Sequence, residues 1–332
     1  MTVRFEYDVV GIGNAIVDVI AKADDDFLVT HDLRKGGMTL IDEAASLRLY
    51  ETMGSATIAS GGSAANTMVG VASLGGKAAF FGKVRDDDAG HAFRHDIQAE
   101  GVFFPTPAAT GGAATARCLI VVTPDGERTM STYLGACIAL GPADVDEHVV
   151  ERAGIVYFEG YLWDPPHAKE AFRKAAGISH SVGGRTALTL SDAFCVDRYR
   201  DEFLTLIRTG LVDIVFANES ELHALYQTGD FETAIEALRR ENILAFVTRS
   251  EAGCVIVDRG VVQSVPAAPI ERLVDTTGAG DLFAAGALFG LARQMPLTRC
   301  AQIGALAAAE VIQHFGARPE ISLSDLIRQA QF

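Results

Sequence analysis

Two textures alternate along the chain. From Gly154 onward, short apolar runs at 154–158, 186–191, 212–216 and 244–248 are separated by segments of helical character at 165–181, 194–209, 219–226 and 231–241. Apolar strands spaced by helices predict right-handed crossovers and a parallel sheet covered on both faces. Ligands of such sheets bind at the carboxyl ends of the strands. Two segments fall there: Asn218-Glu-Ser-Glu221, and Thr248-Arg249 with Gly253 close behind. Asn218 is equally an ordinary helix N-cap residue.

Between Phe103 and about Leu134 the helical period disappears. Thr115–Val122 and Thr129–Leu134 read as strands, and Pro124-Asp-Gly126 between them marks a hairpin turn. With part of 15–40 they predict a small sheet apart from the main body, suited to act as a lid. The expected division is 1–14, 41–103 and 135–332 for the large body, and 15–40 with 104–134 for the lid.

The first apolar run, 9–20, reads as one strand entering the core, interrupted by Asn14 and Asp18. These share parity, so in an extended segment they share a face. A carboxylate buried without partners costs several kcal/mol. Ligand hydroxyls would satisfy both groups, and so would a network to nearby backbone. A helix around 42–53 follows, then Gly61-Gly62, which permits close backbone approach and opens a helix with Asn66 one turn in. A strand at 78–84 and a helix at 89–100 come next, and helices at 296–314 and 322–331 close the chain.

The densest chemical signal is Asp275-Thr-Thr-Gly-Ala-Gly-Asp281, a glycine turn emptying into an apolar helix. Amides at a helix start have no partners inside the helix and favour anions. Beside them, Asp281 is either a first-turn acid of ordinary type or a proton acceptor next to an anion cradle. The second arrangement suits a reaction in which a phosphoryl group arrives while a hydroxyl loses its proton. Other glycine patterns fail: Gly11-x-Gly13 has Ile16 where a dinucleotide fingerprint needs glycine, and Lys77 lacks the spacing of a phosphate-binding P-loop.

Composition narrows the partners. A formal net charge of −15 over 332 residues argues against nucleic acid or an anionic membrane surface. Five scattered cysteines suggest free thiols in a reducing cytoplasm. The apolar stretches near 282–292 and 303–312 are shorter than the roughly 20 residues a bilayer span needs, and the opening residues do not read as a signal peptide. A soluble, cytoplasmic protein is expected, monomer or homodimer, acting on a small molecule.

Gly61-Gly62-Ser-Ala-Ala-Asn66, with Gly75 and Gly82 downstream, resembles the first signature of the ribokinase-like (PfkB) sugar and nucleoside kinases. Asp275–Asp281 resembles the second, and Asn218-x-x-Glu221 lies between them in the fitting order. Within that family, Gly13-Asn14-x-x-x-Asp18, Asp26-Phe-Leu, the arginine of Asp125-Gly-Glu-Arg128, Leu188–Phe194 and Val212–Glu219 are most similar to adenosine kinases. The resemblance implies an α/β, ribokinase-like fold: a doubly wound, mostly parallel central sheet flanked by helices, with a small β-sheet lid. It implies ATP as donor, Mg²⁺, and K⁺ near the second signature.

Carried over by position, Asp281 would accept the proton of the acceptor hydroxyl. The amides of Gly278, Ala279 and Gly280 would hold the migrating phosphoryl charge. Asn14, Asp18, Gly61, Gly62 and Asn66 would bind the acceptor, and Arg128 would reach the phosphates from the lid. Asn218, Glu221, Thr248, Arg249 and Gly253 would face the nucleotide, with Glu221 ordering Mg²⁺ through water. Asp275 and Thr277 would contact the monovalent cation. The implied reaction is transfer of the γ-phosphoryl group to the 5′-hydroxyl of a purine nucleoside, adenosine first, with inosine or guanosine as alternatives. A kinase of a free sugar such as ribose or fructose is the nearest rival, and a non-catalytic nucleoside sensor on the same fold is another.

Overall fold

The computed structural model describes residues 5–330. Among them, strands β1 to β7 are Tyr7–Ile12, Ile16–Lys22, Met38–Leu40, Ala56–Gly61, Ala78–Phe81, Ala116–Val122 and Arg128–Tyr133. Strands β8 to β13 are Ala153–Glu159, Arg185–Thr189, Ile214–Asn218, Leu244–Thr248, Cys254–Asp258 and Val261–Val265. Eight of them form one sheet in the order β13-β12-β11-β10-β9-β8-β1-β5, and five form a second in the order β3-β7-β6-β2-β4. From β5 to β11 every pairing of the large sheet is parallel. The winding reverses beside β1, whose neighbours are β5 and β8, and a crevice opens where strand order reverses in this way.

Alternation explains the burial of the large sheet. Tyr157, Ala187, Phe216 and Phe246 pack on one face with Phe80 and Phe283. Phe158, Leu188 and Val215 pack on the other with Trp163, Phe172 and Phe203. Both faces are covered, so the strands read as continuous apolar runs rather than alternating ones.

Three expectations need correcting. The run 9–20 is two strands in two different sheets, and residues 13–15 carry the chain across. Gly13 permits the crossing, since a Cβ there would lie 2.5 Å from the Glu159 carboxylate and 2.6 Å from Ala64 Cβ. The shared-face argument for Asn14 and Asp18 therefore does not hold, although both remain at this junction. Secondly, the small sheet takes more chain than expected: β4 pairs antiparallel with β2, and Leu49 of the helix Glu43–Thr52 packs on Val19 and Leu119. Residues 43–61 thus belong with the lid rather than the large body. The run Ala56-Thr-Ile-Ala-Ser-Gly61 hid this strand because its small residues give little contrast between faces. Thirdly, β12 and β13 form an unexpected antiparallel hairpin on the sheet edge, turned by Arg259 and Gly260, both with positive φ.

The helix Ala279–Ala292 is buried from Leu282 to Leu291 and is wedged between Ser63–Ser73 and Leu297–Val311. Small residues let the backbones meet. A Cβ at Gly286 would lie 2.5 Å from the Gly304 amide nitrogen, and one at Gly70 2.6 Å from Ala285 Cβ. All five cysteines are buried and free. Among the described residues, no helix is long and apolar enough to cross a membrane.

This packing predicts that Gly286→Val lowers unfolding stability by about 1–3 kcal/mol through forced separation of two helices. Gly280→Ala, whose Cβ would meet nothing within 4 Å, should shift it by no more than about 0.5 kcal/mol. Urea midpoints of the two variants decide this, and equal midpoints would contradict the packing account.

Candidate active site

Two helix starts converge at the crevice. Gly278 takes a left-handed conformation (φ 78°) and caps the helix that carries Asp281 in its first turn. A side chain at 278 would also strike Ala317, its Cβ 2.7 Å from that Cα. Opposite, Gly62 (φ 96°) opens the helix Ser63–Ser73, and its own Cβ position lies 2.2 Å from the Asn14 carbonyl oxygen. The positive ends of both helices thus face the space around Asp281.

Asp281 accepts hydrogen bonds from Ser63 Oγ at 2.6 Å and from Asn66 Nδ2 at 3.2 Å. Burial pushes its carboxyl up to about 6, and these two bonds oppose that rise. Among the described residues, the amides of Gly278 and Gly280 have no hydrogen-bond partner. That of Ala279 donates to the Thr276 carbonyl at 3.2 Å, so the expected three-amide cradle has two free members at 278–280. Free amides beside a carboxylate of near-neutral acidity can bind an anion and accept a proton together.

The acceptor side brings several expected residues together. Gly61 allows the closest approach of Asp18, for a Cβ at 61 would lie 2.3 Å from Asp18 Oδ2. Asp18 projects from β2 on the face it shares with Ile16 and Ile20, while Val17, Val19 and Ala21 point into the packed side of the lid. Burial lifts Asp18 to about 7, with the guanidinium groups of Arg128 and Arg318 pulling it back. Asn14 is held by its own amide, which donates to Glu159 Oε1 at 2.8 Å.

Glu159, at the end of β8, also accepts the Ala64 amide at 2.9 Å, and burial raises it to about 7. It therefore clamps the β1–β2 crossing to a helix start. Sequence reasoning passed over Glu159, Ser63 and Arg318. The available signals were an acid closing an otherwise apolar strand, a hydroxyl directly after a glycine pair, and a lone cation in Gly316-Ala-Arg-Pro319.

From the lid, Arg128 reaches the large body. It hydrogen-bonds Thr277 Oγ1 and forms an ion pair with Asp275 Oδ2 at 3.0 Å. Asp275 is otherwise engaged: Oδ1 accepts the Thr277 amide and Oδ2 the Gly316 amide, both at 3.0 Å. The Asp275 carboxylate thus braces two loops against each other, beside the Thr277 residue expected with it at the monovalent-cation site.

A cleft of about 870 Å³ runs from Asp281, Gly278 and Gly280 past Asn218, Glu221, Thr248 and Gly253, walled by Phe216, Phe246 and Phe283. Asn218 and Glu221 form a reciprocal cap: Asn218 Oδ1 accepts the Glu221 amide at 2.9 Å, and the Glu221 carboxylate accepts Asn218 N at 3.0 Å and Nδ2 at 2.6 Å. Burial lifts Glu221 to about 7. Arg249 is the clear departure. It pairs with Glu219 at 3.0 Å and lies 3.6 Å over the Phe231 ring, outside the residues lining the cleft. A guanidinium with a carboxylate and an aromatic face already in reach gains more there than in the open cleft.

The donor set suits Mg²⁺ carried by a polyphosphate. Among the described residues, no group of three or more His, Cys, Asp or Glu side chains could cage a metal. Mg²⁺ keeps several waters and uses one or two carboxylates plus substrate phosphates, a role open to Glu221.

A near-neutral carboxylate beside free helix-start amides, at one end of a long cleft, is the arrangement of a phosphotransferase with an alcohol acceptor. Residues 41–323 match the family described as pfkB family carbohydrate kinase, and the chain belongs to that family. The structure of adenosine kinase from Sinorhizobium meliloti is 56% identical with a TM-score of 0.93, covering 98% of this chain and 99% of that one. A probable sugar kinase protein from Rhizobium etli CFN 42 is 52% identical with a TM-score of 0.94, again over 98% and 99%. Adenosine kinase 2 of Arabidopsis thaliana is 26% identical over 92% of this chain and 94% of its own length. A fructokinase of Klebsiella pneumoniae is 32% identical over 70% and 76%.

For Asp281→Asn the expected outcome is a fall in kcat of at least about 10²-fold with acceptor affinity nearly kept, the mark of a lost proton acceptor. Steady-state rates and calorimetric Kd values measure the two halves. A near-wild-type kcat would remove Asp281 from the chemistry.

Proposed function

We propose that this enzyme transfers the γ-phosphoryl group of ATP to the 5′-hydroxyl of a purine nucleoside, with adenosine as the preferred acceptor and inosine or guanosine as weaker ones. The observation that carries the reading is Asp281, held by Ser63 and Asn66 beside the free amides of Gly278 and Gly280. The likeness to the Sinorhizobium meliloti adenosine kinase over nearly the whole of both chains supports the acceptor class. So does the lid face around Asp18, where the half-buried Ile16, Ile20 and Met130, packed on the buried Cys118 and Ile120, would offer an apolar surface to a flat base.

In this reading Asp18, Asn14 and Asn66 hold the ribose hydroxyls, and Gly61 and Gly62 let the sugar approach the backbone. The acceptor hydroxyl lies against Asp281, which takes its proton as the new P–O bond forms rather than in advance. The Gly278 and Gly280 amides bear the charge on the migrating group, and Arg128 adds its guanidinium from the lid. Glu221 and Asn218 would hold Mg²⁺ through its waters, and the ion would supply further charge neutralisation on the phosphates. Positioning and electrostatics carry nearly all of such a reaction. The lid excludes water and so limits wasteful hydrolysis. K⁺ would lie at the Asp275 carboxylate and the Thr277 carbonyl, bracing the cradle.

A second reading, a kinase of a free sugar, draws on the 52% likeness to a probable sugar kinase protein and on the fructokinase match. A panel of adenosine, inosine, guanosine, ribose and fructose with ATP, Mg²⁺ and K⁺ separates them. Adenosine is expected to be turned over at least about 10²-fold more efficiently than either sugar, since the apolar lid face would then lack its occupant. Sugar turnover without nucleoside turnover would overturn the proposal, and tight nucleoside binding without turnover would make the protein a sensor.

The acidity of Asp281 sets the pH dependence. Below about 6 its carboxyl is protonated and cannot accept the hydroxyl proton, so kcat/KM for the acceptor should fall tenfold per pH unit on the acid side of a midpoint near 6. A rate flat down to pH 4.5 in protein that stays folded would contradict this.

A further inference from the structure

One guanidinium at the site has no place in the scheme above. Arg318 stands in the loop that follows the helix Leu297–Val311, and that loop is locked to the anion cradle. The Gly316 amide donates to Asp275 at 3.0 Å, and Ala317 fills the space a side chain at Gly278 would need. From there Arg318 Nε reaches Asn66 Oδ1 in a long hydrogen bond of 3.4 Å, while Asn66 Nδ2 addresses Asp281 Oδ2 at 3.2 Å.

These two contacts determine which way the amide points. A guanidinium only donates and a carboxylate only accepts. Flipped, Asn66 would turn its NH₂ group toward Arg318 and its oxygen toward Asp281, losing both bonds and creating two repulsions. We propose that Arg318 is a positioning residue for phosphoryl transfer, fixing the Asn66 amide so that its N–H steadies the proton-accepting carboxylate of Asp281. The inference rests on Asp281 as proton acceptor. A second observation sets Arg318 apart from an ordinary core arginine: its Nη2 is enclosed by protein and has no hydrogen-bond partner among the described residues. A buried donor of that kind is uncommon and marks a group kept for more than packing.

Other polar and ionisable groups face Asp281 and must be held constant in any test. Ser63 and Asn66 come from the helix Ser63–Ser73, Asp18 from β2, Tyr157 and Glu159 from β8, and Glu221 from the helix Glu219–Tyr226. Arg128 and Arg318 both act on Asp18. Removing Arg318 could therefore reach Asp281 through Asn66 or by loss of charge alone, and a double-mutant cycle separates the routes.

The experiment uses the full chain with ¹³C-labelled aspartate, the Asp281 carboxyl signal being assigned by its loss in Asp281→Asn. In Arg318→Met the titration midpoint of Asp281 should rise by about half a unit or more, because the hydrogen bond favouring its ionised form is loosened. In Arg318→Lys, which keeps a donor and a charge, the rise should be smaller. In an Asn66→Ala background, Arg318→Met should add nothing further. In the kinase assay, kcat should fall about tenfold or more with the KM for ATP nearly unchanged, and the acid limb should move up with the carboxyl midpoint.

The inference is overturned if the Asp281 midpoint is unmoved, if the shift persists undiminished without Asn66, or if only the melting temperature changes. Should Arg318→Met not fold, the Lys variant decides by the same midpoint. A shifted midpoint in a protein that phosphorylates no acceptor would uphold the coupling and reject the kinase reading instead.

Discussion

A carboxylate withdrawn from water between two helix starts is the constraint on which the site depends. Desolvation makes ionisation of Asp281 harder; a shift from 3.8 to about 6 corresponds to about 3 kcal/mol. Bonds from Ser63 and Asn66 and two helix dipoles work the other way, the dipoles adding at most about 2 kcal/mol each in partly buried geometry. Desolvation wins, though not completely. The result is a carboxylate whose midpoint lies near 6, the acidity that the proposed proton acceptor needs.

That balance requires rigid surroundings, and the fold supplies them by close packing of small residues. Three helices pack closely at Gly70, Gly286 and Gly304, the last two backbone to backbone, and this packing supports the turn that carries Asp281. The 274–278 and 312–317 loops are joined through Asp275 and through the contact of Ala317 with Gly278. Glu159 ties the β1–β2 crossing to the facing helix. The lid meets this frame through Arg128, which reaches across to the same Asp275. The small sheet is thereby joined to the loop that leads into Gly278.

Much of this was legible in the sequence because the local chemistry is unambiguous. The glycine turns at 61–62 and 278–280 need conformations a side chain forbids, and the apolar strands of the large sheet announce burial on both faces. What stayed hidden depends on partners distant in the chain. Residues 9–20 look like one strand because nothing local says that Glu159, some 145 residues away, shapes the crossing at Gly13. Ala56–Gly61 lacks a contrast of faces, so only its pairing with β2 reveals the strand. Arg249 sits where a parallel sheet puts ligands, yet Glu219 and Phe231 capture it. Arg318 follows a helix with no motif around it, and its meaning comes from meeting Asn66 across 252 positions.

The most direct test of the central claim is a crystal structure with nucleoside, ADP, Mg²⁺ and an aluminium fluoride mimic of the migrating phosphoryl group. The account predicts fluorides within hydrogen-bond reach of the Gly278 and Gly280 amides, with the acceptor hydroxyl on an Asp281 oxygen. A mimic bound elsewhere in the cleft, or an Asp281 carboxylate out of reach of the hydroxyl, would contradict it.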